Sequence, residues 1–432
     1  MEAFSKTTEG VLKATTHLVS GPSLAGPPES ERLDGLLLRR LAARIGPAPL
    51  RYALGRTTLA SSPTASVATL RFRDRRALLG LLIDPEVHFG DAYADGRIEI
   101  EGDLVAAVEA AYRSLETEGR TRPLAWLQTW RRHSLRRSRT NVHHHYDLGN
   151  DFYALWLDEQ LLYTCAYFES PDLSLEQAQV AKMDLVCRKL GLRPGETVVE
   201  AGCGWGALAL HMARRYGVRV RAYNVSHEQI AWARERARRE GLDGRVEFVE
   251  DDYRAIRDRC DAFVSVGMLE HVGRRSYGQL GRVIASCLDR AHGRGLLHFI
   301  GRDWPRPLNA WIRRRIFPRA YPPSLTEVGS GLLEPANLCV VDVENLRGHY
   351  ALTLQHWRRR YERAVAEGRV GFDERFRRTW RLYLAGSEAA FRAGSLQLFQ
   401  VTFAPGGSSP IPWTRRGLYG QGTGLSWNAP TS

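Results

Sequence analysis

From residue 146 onward, strand-like and helix-like segments alternate, and no other feature constrains the fold as much. TVVEAG (197–202), RVRAYNVS, RVEFVED, DAFVSVGM and RGLLHFIG are short apolar runs rich in β-branched and aromatic residues. ALALHMARRYG, EQIAWARERARREG and QLGRVIASCLD carry helical periodicity between them. This alternation predicts βαβ units and a doubly wound, mostly parallel α/β sheet. Residues 302–336, rich in Pro, Trp and Arg, break the pattern and read as an insertion over one face. NLCVVDVENL (337–346) resumes as a strand, two long helical patterns follow, and LQLFQVTFA (396–404) closes the domain as a strand.

The first strand of the series runs into glycines and then a helix: TVVEAGCGWG, with Gly202, Gly204 and Gly206. Glycines let a backbone turn sharply and approach a ligand closely. The spacing differs from the dinucleotide fingerprint, and no GK[ST] follows, so it is not a phosphate loop. Glu200 at the strand end followed by Ala-Gly-Cys203-Gly-Trp-Gly is the pattern of an S-adenosylmethionine (SAM) pocket, with the loop under the amino acid and sulfonium portion. The second strand ends without the usual acid for the ribose, and Asn224 and Gln229 stand where they can serve the hydroxyls without charge. Asp251 and Asp252 follow the third strand, either to accept the adenine amino group or to cap a turn.

Ahead of this domain the text is different. Residues 1–30 are rich in Ser, Thr, Gly and Pro and read as a loose tail. A helical pattern at 33–44, an alternating strand at 67–74, a helix with a turn at Asp84-Pro85, a strand at 96–100 and a helix from Asp103 make a smaller α+β domain over 31–122. Residues 123–145 form a basic linker, 146–404 the larger domain, and 405–432 a second tail. The six cysteines form no CxxC pair, so neither a zinc site nor a disulfide framework is expected, and a reduced, cytoplasmic compartment fits. His143, His144 and His145 are adjacent and cannot all face one ion, so no metal is expected.

Four further segments sharpen the reading: HYDLGND (145–151), LYTCAY (162–167), SVGMLEHVG (265–273) and LHFIG (297–301). With EAGCGWG, and with FGDAYADGRIEIEGD (89–103) in the leading domain, the chain resembles the cyclopropane-fatty-acyl-phospholipid synthase family from about residue 77 to 403. The resemblance implies a Rossmann-like class I SAM methyltransferase domain behind a smaller N-terminal α+β domain. It implies methylene transfer from SAM to a cis double bond of an unsaturated acyl chain in membrane phospholipid, with a bound bicarbonate ion as the base. Carried over by motif, the bicarbonate cradle is the side chains of Glu270, His298 and Tyr350 with backbone groups at Cys165 and Ile300. Tyr163 and Thr164 are carried over to the cofactor pocket. Cys165 is expected to line the site rather than act as a nucleophile. His271 is expected to touch the cofactor edge or to pack. Ser387 stands where many phospholipid-acting members carry Cys, which argues against covalent catalysis there.

Net charge is +13, and of the 61 basic residues only four are lysine. Such a balance favours an anionic partner. Arginines interleaved with Trp311, Phe317, Trp357, Phe376 and Trp380 suit an anionic bilayer, though a solvated helix face accounts for most of 351–381. The insertion with Arg313, Arg314 and Arg315, together with the basic linker, is the expected membrane-facing surface. The protein is therefore expected at the inner face of the membrane as a peripheral protein, with no nucleic-acid partner, and a homodimer is compatible with the small leading domain. Two rivals stay open: a methylene- or methyl-branched product from the same fold, and an inactive lipid-binding relative.

Overall fold

The structure is a computed structural model and describes residues 29–117, 148–408, 412 and 414–419. The histidine run 143–145, the linker and most of both tails lie outside the described residues.

The leading part builds a four-stranded sheet from β1 (Leu50–Leu54), β2 (Thr57–Ala60), β3 (Ala68–Phe72) and β4 (Ile98–Gly102), in the order β2-β1-β3-β4. β1 and β2 form a tight hairpin turned at Gly55, whose φ of +57° suits glycine. β1 and β3 are parallel. Helix Arg75–Ile83 starts at Asp74, which accepts from the Ala77 amide at 2.8 Å and is clamped by Arg97 at 2.6 and 3.0 Å. Pro85 cannot continue that helix, but it opens the next one, Pro85–Ala94, at a position where its missing N–H costs nothing. Helices Glu29–Ile45 and Leu104–Thr117 complete the unit, and Leu38, Leu41, Tyr52, Leu70, Leu78 and Ile98 fill its core.

The larger part is a seven-stranded sheet. β5 (Thr197–Ala201), β6 (Arg219–Asn224), β7 (Val246–Glu250), β8 (Ala262–Val266) and β9 (Arg294–Gly301) are parallel, as the alternation predicts. β10 (Leu338–Asn345) and β11 (Gln397–Pro405) extend it, giving the order β10-β11-β9-β8-β5-β6-β7. β11 runs antiparallel to both of its neighbours. The strand order reverses on either side of β5, so a crevice opens at its carboxyl end. Helix Leu175–Leu190 covers one face, delimited by a capping box at Ser174/Gln177 and by Gly191 in the left-handed region. Helix Tyr277–Cys287 packs on the opposite face with Phe263, Leu297 and Phe403.

The two parts meet on helix Glu374–Ala393, which packs against helices Leu104–Thr117 and Pro85–Ala94 as well as helix Arg347–Ala366. The arginine-rich stretch is consumed in this seam and beside it. Arg375 pairs with Asp95 at 2.7 Å, and Arg378 lies 4.3 Å over the Tyr93 ring while donating to the Tyr93 carbonyl at 2.6 Å. Arg358 pairs with Glu388, and Arg381 with Glu362. The insertion is not a bare outer face either. Its helix Ala310–Arg315 sets Trp311 against Gly90, where any side chain would overlap the indole, and Trp311 Nε1 donates to Asp91 at 3.1 Å. Arg315 is bound to that same Asp91 at 2.7 Å, and Arg313 donates to the Leu308 carbonyl at 2.9 Å. Two of the three arginines assigned to a membrane surface are thus used within the fold.

Candidate active site

The cofactor cleft sits where β5 ends. Gly202, Gly204 and Gly206 all have positive φ, +85°, +53° and +82°. A Cβ on Gly202 would sit 2.9 Å from Met268, so this residue keeps the cleft wall thin. The cleft, about 160 Å³, is lined by Tyr163, Thr164, Glu200, Gly202, Cys203, Gly204, Asn224, Gln229, Asp251 and Asp252. Gly206 is the one expected cofactor residue that does not line it. A Cβ there would press into Phe248 at 2.6 Å and Ala233 at 2.9 Å, so this glycine lets the helix that follows pack on the sheet.

The polar groups of the cleft hold one another. Asn224 Nδ2 donates to Gln229 Oε1 at 2.7 Å, while Asn224 Oδ1 accepts from the Val225 amide at 2.9 Å. Asp252 is buried and caps the short turn Tyr253–Ala255, accepting from the Arg254 amide at 3.0 Å. The capping role weighed for this pair therefore falls to Asp252, and Asp251 stands beside it on the cleft wall.

Lys182 is a cleft residue that sequence reasoning missed. It is 1% exposed and donates to Thr164 Oγ1 at 2.9 Å. Burial pulls its ammonium down to about 8, and burial also pushes the Glu200 carboxyl up to about 8, with each group opposing the other's shift. Glu200 Oε2 is buried with no hydrogen-bond partner among the described residues, which leaves an acceptor for a ligand that brings donors. The signal lay in composition. An arginine-rich chain keeps lysine at only four positions, and both that are described, Lys182 and Lys189, are buried.

A second cavity of about 950 Å³ lies against the first. The cavities share Tyr163, Thr164, Gly267 and His271 as common walls. Tyr163 and Thr164 reach this junction on a tight segment in which Leu161 has φ +58° and Asp158 accepts from the Leu162 amide at 2.8 Å. Both parts of the molecule build the larger cavity: Leu41, Leu70, Phe89 and Val108 from the leading part, and Phe317, Leu354, Leu382 and Leu398 from the other. The insertion contributes Trp304 through Asn309, Trp311, Ile312 and Phe317 to the cavity lining.

Cys165, Glu270, His298, Ile300 and Tyr350 all line this cavity, as does Ser387. Glu270 is buried, and its Oε1 accepts from the Ile300 amide at 2.6 Å. The Ile300 N–H therefore orients Glu270 rather than facing a ligand. Glu270 Oε2 has no partner among the described residues, and burial pushes the carboxyl up to about 7. His298 Nδ1 lies 3.0 Å from Gln400 Nε2, its Nε2 has no partner among the described residues, and burial drives its basicity far down, which favours the neutral ring. The Cys165 thiol donates to the Ala166 carbonyl at 3.1 Å, and burial raises it, so it is no thiolate. Tyr350 packs at a tilt against Phe391, 4.5 Å between ring centroids. Two residues of one chamber wall next to the cofactor cleft thus carry a carboxyl oxygen and an imidazole nitrogen that are buried without a partner among the described residues.

Residues 133–401 match the family described as mycolic acid cyclopropane synthetase. The chain is 38% identical to a Pseudomonas putida protein named "Probable fatty acid methyltransferase", over 79% of this chain and 89% of that one. It is 41% identical to the cyclopropane-fatty-acyl-phospholipid synthase of Escherichia coli K12, over 61% of this chain and 67% of the relative. The crystal structure of mycolic acid cyclopropane synthase CmaA1 complexed with SAH and CTAB superposes with a TM-score of 0.58 at 30% identity, covering 61% of this chain and 97% of that one. The coclaurine N-methyltransferase structure, at 20% identity and TM-score 0.61, shares the fold alone. With more than half of its residues matched to one family and a SAM-type cleft at the switch point of its sheet, the chain belongs to the mycolic acid cyclopropane synthetase family and is a SAM-dependent methyltransferase.

Proposed function

We propose that the protein transfers a methylene unit from SAM to the cis double bond of an unsaturated acyl chain in membrane phospholipid, forming a cyclopropane ring with a bound bicarbonate ion as general base. One observation carries this reading. A largely apolar chamber meets the cofactor cleft at Tyr163, Thr164, Gly267 and His271, and its lining includes Glu270 and His298, each with a buried polar atom that has no partner among the described residues. Its size stands at the upper end of roughly 300–1,000 Å³ for small-molecule sites, which suits a long flexible chain.

The cleft fits SAM. Gly202, Cys203 and Gly204 would hold its amino acid portion, Asn224 and Gln229 its ribose, and Asp251 its adenine. Lys182 offers a donor and the unpartnered Glu200 Oε2 an acceptor to the amino acid end. When bound, SAM supplies an electrophilic methyl group. An alkene is a weak nucleophile, so the chain must be aligned and kept dry. The packed aliphatic walls do both, and the faces of Tyr163, Phe317 and Tyr383 offer π density where positive charge develops on the acyl chain. Tyr163 is itself held by a 2.6 Å hydrogen bond to the Tyr383 hydroxyl. Glu270 Oε2 can accept a hydrogen bond while His298 Nε2 gives one, a pairing that suits hydrogencarbonate, whose hydroxyl donates and whose anionic oxygens accept. When bound, that ion supplies the base.

The phospholipid and the membrane face rest on the chamber's rim. Trp304 is 41% exposed with the Arg306 guanidinium 4.7 Å over its ring, and both residues line the chamber. An aromatic ring beside a cation is suited to a headgroup layer. No helix among the described residues is long and apolar enough to cross a membrane, and we place the protein as a peripheral one at the inner face. A branched-chain product is the second reading, favoured by the Pseudomonas relative's name, a fatty acid methyltransferase.

Product analysis decides. Purified protein is incubated with SAM, bicarbonate and vesicles of a cis-monounsaturated phospholipid, and the acyl chains are examined by mass spectrometry and proton NMR. Gain of one CH₂ with upfield ring protons is expected. Gain of one CH₂ with vinylidene or methyl-branch signals moves the product to the second reading. Unmodified lipid despite SAM binding overturns the substrate class.

A further inference from the structure

We propose that Lys189 and Gln400 are positioning residues that keep the His298 proton on Nε2, so that the imidazole can only donate into the large cavity. The row is built by strand register. Glu344 on β10 is the partner of Gln400 on β11, and Gln400 is the partner of His298 on β9. Residues directly opposite across neighbouring strands share a face of the sheet, so the three side chains stand in line. Lys189, in the last turn of helix Leu175–Leu190, meets this row from the covering layer. It pairs with Glu344, and its ammonium donates to Gln400 Oε1 at 2.7 Å.

The hydrogen-bond inventory then leaves one solution. An ammonium has donors only, so the oxygen of the Gln400 amide must face Lys189. The amide NH₂ is thereby turned toward His298 Nδ1 at 3.0 Å. An NH₂ group cannot accept, so Nδ1 carries the lone pair and the ring hydrogen sits on Nε2. Nε2 is buried, has no partner among the described residues, and belongs to a cavity-lining residue. Lys189 thus sets the polarity of a nitrogen it does not touch, by forbidding one amide flip. What the nitrogen donates to rests on the proposed function; the tautomer does not.

The test uses full-length protein labelled with ¹⁵N-histidine, with the His298 signals assigned by their loss in His298→Gln. Long-range ¹H–¹⁵N spectra near pH 7 are expected to show a neutral ring protonated at Nε2. In Gln400→Glu the carboxylate keeps the Lys189 pair but accepts from Nδ1–H. The His298 proton is expected to appear on Nδ1, and kcat to fall about 10²-fold with the SAM affinity within about twofold. If Gln400→Glu does not fold, Lys189→Met combined with Glu344→Gln releases the amide without leaving a charge, and two tautomers are expected in place of one. A parent spectrum with Nδ1–H, or variants with the parent's tautomer, overturns the proposal. The expected spectra from a protein that leaves lipid unmodified would sink the proposed function and leave this inference standing.

Discussion

The two cavities share a wall and almost nothing else. The cofactor cleft is local: one strand end, one glycine loop and the ends of two neighbouring strands supply most of it. The larger chamber is composite, with walls from the leading sheet and helices, the insertion, β9, β11 and two late helices. A site made from a glycine loop and the ends of adjacent strands can be recognised by its own residues. A site made by docking two units exists only when the seam is closed, and its lining residues are ordinary core types.

Four experiments sharpen or break this contrast. Glu270→Gln removes the acceptor from the chamber and leaves the cleft untouched, so turnover should fall about 10³-fold while calorimetric SAM binding stays within about twofold. A joint loss of both would mean the cavities are not separable. Gly202→Val does the converse. At φ +85° and with Met268 in the way, the branched side chain should weaken SAM binding about 10²-fold or more, while retention of a fluorescent fatty acid in the chamber is unchanged. Next comes a pH effect. Glu270 is held up to about 7 in the folded chain, against an ordinary value of 4.5. Between those values the folded chain keeps a proton that the unfolded chain has released, so stability falls as pH rises across this window. Gln at 270 removes that slope. Urea unfolding should show the variant gaining roughly 1–3 kcal/mol on the parent between pH 4.5 and 7.5, and a constant difference would refute burial as the cause. The smallest effect is at the seam. Trp311→Ala empties the notch at Gly90 and should raise the KM for lipid roughly tenfold, with SAM affinity unchanged.

The contrast also explains what could be read from residues alone. The parallel sheet was legible because every strand in it is a short apolar run between helical periods. LQLFQVTFA predicts the strand β11, but nothing in it states that the strand runs reversed. The β1–β2 hairpin was missed, though Gly55 followed by Arg56 between alternating runs is a two-residue turn signal. Glu270 and His298 were found by motif. Gln400 and Lys189 were not, since their importance comes from register across three strands and from a helix above them, which no local spacing encodes. The arginines of helices Arg347–Ala366 and Glu374–Ala393 suit a solvated face by sequence, yet in the fold most are paired, and Arg375 and Arg378 reach across the seam because the leading part brings Asp95 and Glu99 to meet them.

The scarcity of lysine has a practical consequence. Outside Lys6 and Lys13, which lie beyond the described residues, the only side-chain amines are Lys182 and Lys189, exposed by 1% and 2%. An acylating reagent meets no lysine on the described surface. Each of the two can acquire a mass tag only when its surroundings part: Lys182 when the cofactor cleft breathes, Lys189 when the helix lifts from the strand row. Peptide mass spectrometry after timed acylation would therefore clock the opening of the two regions separately in one unmodified protein, with the chain's own composition as the label.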